Sequence, residues 1–156
     1  MIGTPEIAST EPGPTARIRL RIPKHDLRNV MGPARKELLE VVTGQGIGPA
    51  GPVFSHHFRL EREVWDFELG VSVHRPVTGE GRVEPGEIPA MRIARTVYEG
   101  PYDGLADAWR EFDTWLSSNG HDFAVDFWAF YLTGPESGRT PSEWETELQR
   151  TLLAWR

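Results

Sequence analysis

The chain has 156 residues, 38% of them hydrophobic, and no cysteine. That is enough apolar material for one domain with a buried core, and the lack of thiols excludes disulfides, thiolate zinc sites and cysteine nucleophiles while fitting a reducing compartment. A formal net charge of −6, from 17 Lys and Arg against 23 Asp and Glu, argues against a nucleic-acid groove, because phosphate contacts need clustered cations.

The opening "MIGTPEIASTEPGPT" lacks the basic start and apolar middle of a signal peptide, and no apolar run is long enough to span a membrane. Its Pro, Thr and Glu content predicts a disordered lead-in over residues 1–15, followed by a single cytoplasmic domain over 16–156. The one dense basic stretch, "RIRLRIPK", alternates Arg with Ile and Leu and reads as an edge strand. After Gly32-Pro33, Leu38, Leu39, Val41 and Val42 predict a short helix that stops at Gly44 to Gly46. "GQGIGPAG" then lies between a helix and a strand, whereas a phosphate cradle lies between a strand and a helix N-terminus, so it reads as a turn.

His56 and His57 are adjacent on the strand of "GPVFSHHF" and point to opposite faces, so they do not chelate one metal, and no metal site or cofactor is expected. In "VWDFELGVSV", Trp65, Phe67, Leu69, Val71 and Val73 face one way and Asp66, Glu68, Gly70 and Ser72 the other. A longer helix runs from Gly100-Pro101 to Asn119-Gly120, with Leu105, Ala108, Trp109, Phe112, Trp115 and Leu116 on its apolar side. "DFWAFYLTGPESG" is apolar on both faces. Trp128, Phe130 and Leu132 are assigned to the core beneath the helices, and Phe127, Ala129 and Tyr131 to the open face. No Gly-x-Ser-x-Gly elbow and no Ser, His and Asp set emerges from spacing.

Each helix is followed by a glycine, a strand and a second strand. Gly46 and Gly120, and "GPVFSHHF" and "VDFWAFYL", stand at one common offset, which pairs His57 with Tyr131. "WDFEL" and "WETEL" share the pattern Trp-x-x-Glu-Leu. By propensity "SEWETELQRTLLAWR" also suits a helix; the repeat makes it a strand. The pattern predicts an α+β fold of two duplicated strand-helix-strand-strand units, at about 16–75 and 88–156, forming one curved antiparallel sheet with two helices on one face.

The succession "GQGIGPAGP", "WDFELGVSV", "EGPYDGL", "YLTGPESG" and "WETEL" resembles the gyrase-inhibitor-like (GyrI-like) small-molecule-binding domain, the effector-binding half of multidrug-responsive regulators of the AraC and MerR types. The resemblance implies an aromatic pocket between the half-repeats, on the face away from the helices, that takes lipophilic molecules, cations among them. Family members carry a glutamate two residues before the tyrosine of "YLTGP"; here that position is Ala129. Glu68 and Glu147, from the two Trp-x-x-Glu-Leu copies, are the candidate replacements. With no room for a helix-turn-helix before residue 16, a stand-alone sensor or sequestering protein is expected, with a separate regulator as a conceivable partner and no direct contact to nucleic acid or membrane.

The candidate ligand contacts are therefore His57, Glu68, Tyr98, Tyr102, Phe127, Ala129, Tyr131 and Glu147. A rival reading, also implied by the resemblance, is a hydrolase opening cyclopropane rings of DNA-alkylating compounds, in which Glu68 or Glu147 would activate water and Tyr131 would donate a proton. A third is an acidic inhibitor of a DNA enzyme such as gyrase. It ranks last because the acidic residues are dispersed along the chain.

Overall fold

The computed structural model describes residues 2–153. In chain order the elements are β1 (Glu6–Ser9), β2 (Gly13–Pro23), α1 (Leu27–Gly44), β3 (Phe54–His57), β4 (Val64–Ser72), β5 (Glu84–Ile88), β6 (Arg92–Glu99), α2 (Leu105–Ser118), β7 (Phe123–Thr133) and β8 (Glu145–Leu152). The chain divides into two compact units, one of residues 11–90 and one of residues 1–10 with 91–156. Every named strand pairing within each unit is antiparallel, as the α+β reading requires. Among the described residues, no helix is long and apolar enough to cross a membrane.

In the first unit the strand order is β3-β4-β2-β5. Ala16, Ile18 and Leu20 on β2 stand opposite Val71, Leu69 and Phe67 on β4, all of them buried. Against these strands packs α1, through Ala34, Leu38, Val41 and Val42. The alternate residues of β2 and β4, Arg17, Arg19, Arg21, Asp66 and Glu68, project from the other face, because successive side chains of a strand point oppositely.

In the second unit the order is β1-β6-β8-β7. Ala94 and Tyr98 from β6 and Leu148 and Leu152 from β8 form a buried cluster with Ala108, Phe112 and Leu116 of α2. That helix carries its apolar residues at three- and four-residue spacing, so one stripe meets the strands and the polar residues stay in water.

The duplication is visible in the backbone register. His57 pairs with Phe67 across β3 and β4, and Tyr131 pairs with Thr146 across β7 and β8, so each Trp-x-x-Glu-Leu segment meets its partner strand at the same step. Gly46 and Gly120, each just beyond its helix, have φ of +66° and +75°, the left-handed conformation that glycine adopts without a Cβ penalty. The final segment is a strand, as the repeat required; residues 154–156 of the second half-repeat lie outside the described residues.

Four expectations are corrected. The lead-in is not disordered throughout: β1 pairs with β6 from Glu6↔Arg95 to Ser9↔Arg92, and Thr96 Oγ1 donates to the Gly3 carbonyl at 2.6 Å. A polar segment needs only its backbone groups to join an exposed strand. The strand "RIRLRIPK" is not simply an edge, since β2 is flanked by β4 and, over Gly13–Arg17, also by β5.

The helix α1 is the longer one, with 18 residues against 14 for α2, and Pro33 lies inside it. Leu27, Val30 and Met31 continue the apolar stripe ahead of Gly32-Pro33 and are half-buried; their packing outweighs the one hydrogen bond that the proline removes. Finally, the two faces of β7 are exchanged relative to the expectation, with consequences for the site.

Candidate functional site

Phe127, Ala129 and Tyr131 stand opposite Arg150, Leu148 and Thr146 of β8. Opposed residues of an antiparallel pair share a face, and Leu148 is packed beneath α2. These three residues therefore lie on the helix side, not on the open face. Two ring contacts agree: Phe127 meets Trp109 of α2 edge-on with centroids 5.1 Å apart, and Tyr131 meets Tyr102 edge-on at 6.0 Å. Trp128 and Phe130 project from the opposite face with Gln149 and Glu147. Trp128 is buried, but beside Phe130, in a near-parallel stack at 6.2 Å, and not beneath the helix.

The helix side of β7 carries two aromatic groups, separated by Ala129 and Leu148. The first is made by Tyr102, Tyr131 and Trp144, with Tyr102 tilted against Trp144 at 4.9 Å. Tyr102 is 36% exposed and the other two are half-buried, so flat ring surface faces outward. Gly134 makes the close approach possible, because a Cβ there would stand 2.5 Å from the Tyr102 hydroxyl. Tyr98, by contrast, is buried, and its hydroxyl donates to the Pro101 carbonyl at 2.7 Å. Gly100 and Gly104 leave the space for its ring; Tyr98 anchors the "EGPYDGL" turn that presents Tyr102.

Phe123, Phe127 and Trp109 form the second group around the guanidinium of Arg150, whose carbon lies 4.7, 5.3 and 5.3 Å from the three ring centroids. Arg150 Nε and Nη2 donate to the two Asp113 oxygens at 3.0 and 2.8 Å. A register irregularity in β7 between Phe123 and Phe127 accompanies contacts of 3.4 Å from Nη1 to the carbonyls of Ala124, Val125 and Asp126. Only 12% of the Arg150 side chain is exposed. Neither Arg150 nor Trp144 was singled out in the sequence. The available signal was a charged residue at a position that alternates with the apolar Leu148 and Leu152.

Glu68 and Glu147 share a location by repeat symmetry, on the faces opposite α1 and α2. Glu68 is buried, 2.7 Å from Arg17 Nη1 and 3.7 Å from His56 Nδ1. Burial pushes its carboxyl upward, but hydrogen bonds from His56 and Arg17, with their charges, outweigh this and hold it below the usual range. Asp66 next to it is held low chiefly by its hydrogen bond from Arg19. Glu147 accepts from Gln149 Nε2 at 2.5 Å. Neither glutamate reaches the face of its unit on which Ala129 and its repeat equivalent lie.

His57 is on the helix side of its own unit, stacked on Phe67 at 4.9 Å and edge-on to Trp65 at 5.2 Å, with Nε2 at 3.1 Å from Ser55 Oγ. Burial first, then the charges of His56 and Lys24, push its pKa down to about 4, so it is a neutral ring at pH 7. Lys24 lies over Trp65 at 4.4 Å. His56 points oppositely, as alternation required. Among the described residues no group of three His, Cys, Asp or Glu side chains is placed to hold a metal ion.

No curated protein matches the chain by sequence. Solved structures resemble it at low identity. The EcmrR C-terminal domain is similar with a TM-score of 0.85 and 19% identity, over 97% of this chain and 98% of that one. In EcmrR bound to DNA, this chain spans 57% of the neighbour's length, with a TM-score of 0.84. A hydrolase from Listeria innocua is similar with a TM-score of 0.70 and 13% identity, over 96% of this chain and 91% of that one. SAV2435 bound to tetraphenylphosphonium gives 0.69 and 8%, over 97% and 95%. The GyrI-like small-molecule-binding domain matches residues 23–150, and with the duplicated register described above this chain belongs to that family.

Proposed function

We propose that the chain binds a lipophilic aromatic small molecule on the helix side of the unit containing β7 and β8, as a sensor or sequestering domain. The observation that carries this reading is the group of Tyr102, Tyr131 and Trp144, in which the partly exposed Tyr102 ring contacts both of the others and is held by a glycine-built turn. Phe127 lies farther along the same side of β7, beyond the buried Ala129, and the buried His57 occupies the step equivalent to Tyr131 in the other unit. Tyr98 supports the turn. Glu68 and Glu147 are left out, because they project from the other face and Glu68 is already paired with Arg17 and His56.

The comparison with SAV2435 supplies a starting probe, since that protein was solved with tetraphenylphosphonium. A thermal-shift screen with triphenyl compounds, charged and neutral, should show stabilisation of about 3 kcal/mol at a hundredfold excess over Kd. Tyr131→Ala and Trp144→Ala should each weaken binding by about 1 to 2 kcal/mol through lost ring contact. A flat response across all probes refutes the reading. The hydrolase alternative finds less support: its expected bases do not stand beside Tyr131, since Glu147 lies opposite Phe130 on the other face of β7 and β8 and Glu68 repeats that geometry in the other unit.

A further inference from the structure

The duplication places a counterpart of the aromatic group in the unit of residues 11–90. Pro23, Lys24 and Leu27 repeat Pro101, Tyr102 and Leu105: in each case a proline precedes a three-residue 3-10 turn, Lys24–Asp26 or Tyr102–Gly104, that leads into a helix. His57 stands at the step of Tyr131, and Trp65 and Trp144 open the two Trp-x-x-Glu-Leu segments. These counterparts also meet in space. Lys24 Nζ lies over the Trp65 ring at 4.4 Å, as Tyr102 tilts against Trp144 at 4.9 Å, and His57 meets Trp65 edge-on at 5.2 Å.

The two groups differ in what they can bond. Where the second unit has a tyrosine, the first has an ammonium, which donates and never accepts. Trp144 Nε1 donates to the Arg139 carbonyl at 3.1 Å. Among the described residues the indole N–H of Trp65 donates to no protein acceptor, and the Lys24 ammonium pairs with no carboxylate; Asp26, two residues away, stands 3.6 Å from His25 Nε2. Nor does His57 supply negative charge, since burial and then the charges of His56 and Lys24 keep it neutral. Lys24 and Trp65 are half-buried, so a single indole carries a cation over its face and a donor at its edge, both open to an incoming acceptor.

We propose that Lys24, Trp65 and His57 form a second binding site that takes the carboxylate of a small aromatic acid. One carboxylate oxygen accepts from the ammonium and the other from the indole N–H, a charge-assisted arrangement stronger than its neutral equivalent, while the ligand's ring packs against Trp65. This site shares no residue with the group of Tyr102, Tyr131 and Trp144, so either reading can fail alone.

The test titrates naphthoate and the neutral naphthamide, which have the same ring system, into the full chain and its Lys24→Met and Lys24→Arg variants. Wild type and Lys24→Arg should bind the acid about tenfold more tightly than the amide. Lys24→Met keeps an unbranched chain over Trp65 without the charge and should lose that preference, with its affinity for the amide little changed. In NMR spectra of the wild type, naphthoate should shift the Trp65 indole N–H, a readout that locates the site even if Lys24→Met fails to fold. Equal affinity of wild type for the two probes, a preference that survives Lys24→Met, or binding that leaves the Trp65 resonance in place each overturns the proposal. So does binding of neither probe, an outcome that leaves the response to triphenyl compounds to be judged by itself.

Discussion

Lowering the pH from 7 to 4.5 should destabilise the protein through His57, ahead of its carboxylates. The unfolded imidazole titrates near 6.5, and burial together with the charges of His56 and Lys24 holds the folded one down at about 4. Between those values the unfolded chain binds a proton that the folded chain does not, so stability falls as pH falls. At about 1.4 kcal/mol per pH unit, the loss approaches about 3 kcal/mol near pH 4. Glu68 and Asp66 have the same sign but another window: their folded pKa values are lowered, so their contribution is complete above the unfolded carboxyl range and is lost only as pH falls through and below it. Urea unfolding at steps from pH 7 to 4.5 isolates the histidine. His57→Phe retains a ring on Phe67 and should flatten the slope between pH 6.5 and 4.5, leaving the drop at lower pH. An unchanged slope in that variant would show that His57 is not buried neutral.

Glu68→Gln should lower stability at pH 7 by about 1 to 3 kcal/mol, below the cost usual for breaking a buried pair because Arg17 is one-third exposed and can rehydrate. Its affinity for aromatic ligands should match wild type; a large loss would return Glu68 to the binding surface. Gly104→Ala should cost about 1 to 3 kcal/mol, since its Cβ would overlap the Tyr98 hydroxyl, and should weaken ligand binding by displacing Tyr102. Gly120→Ala, at φ +75°, should cost about 1 kcal/mol in thermal unfolding with no effect on binding.

Much of the architecture was legible because duplication wrote it twice. Either Trp-x-x-Glu-Leu segment alone is a weak signal, and the second is compatible with a helix by propensity. Two of them, each following a helix, a left-handed glycine and a strand, specify a register, and the paired steps His57↔Phe67 and Tyr131↔Thr146 follow. What escaped has identifiable causes. Composition does not register a polar edge strand, whose stability lies in backbone groups supplied by β6. The punctuation rule that proline opens a helix gave way at Pro33 to a stripe of half-buried apolar residues that began earlier. Arg150 escaped because a lone charge in an apolar alternation gives no hint of the three rings around it.

The exchange of faces on β7 matters most for chemistry. A strand with aromatics on both faces has no internal parity signal, so its orientation is decided by its partner. Here Leu148 and Leu152, facing α2, draw Phe127, Ala129 and Tyr131 to their side. Since side-chain period along a strand is two, a charge lost at one position is not recovered by a neighbour of opposite parity unless the register slips by one residue. Glu147 lies opposite Phe130, on the wrong face to stand in for a carboxylate at Ala129, and Glu68 repeats that geometry in the other unit. The absence of acid from Phe127, Ala129 and Tyr131 is therefore not made good by Glu68 or Glu147.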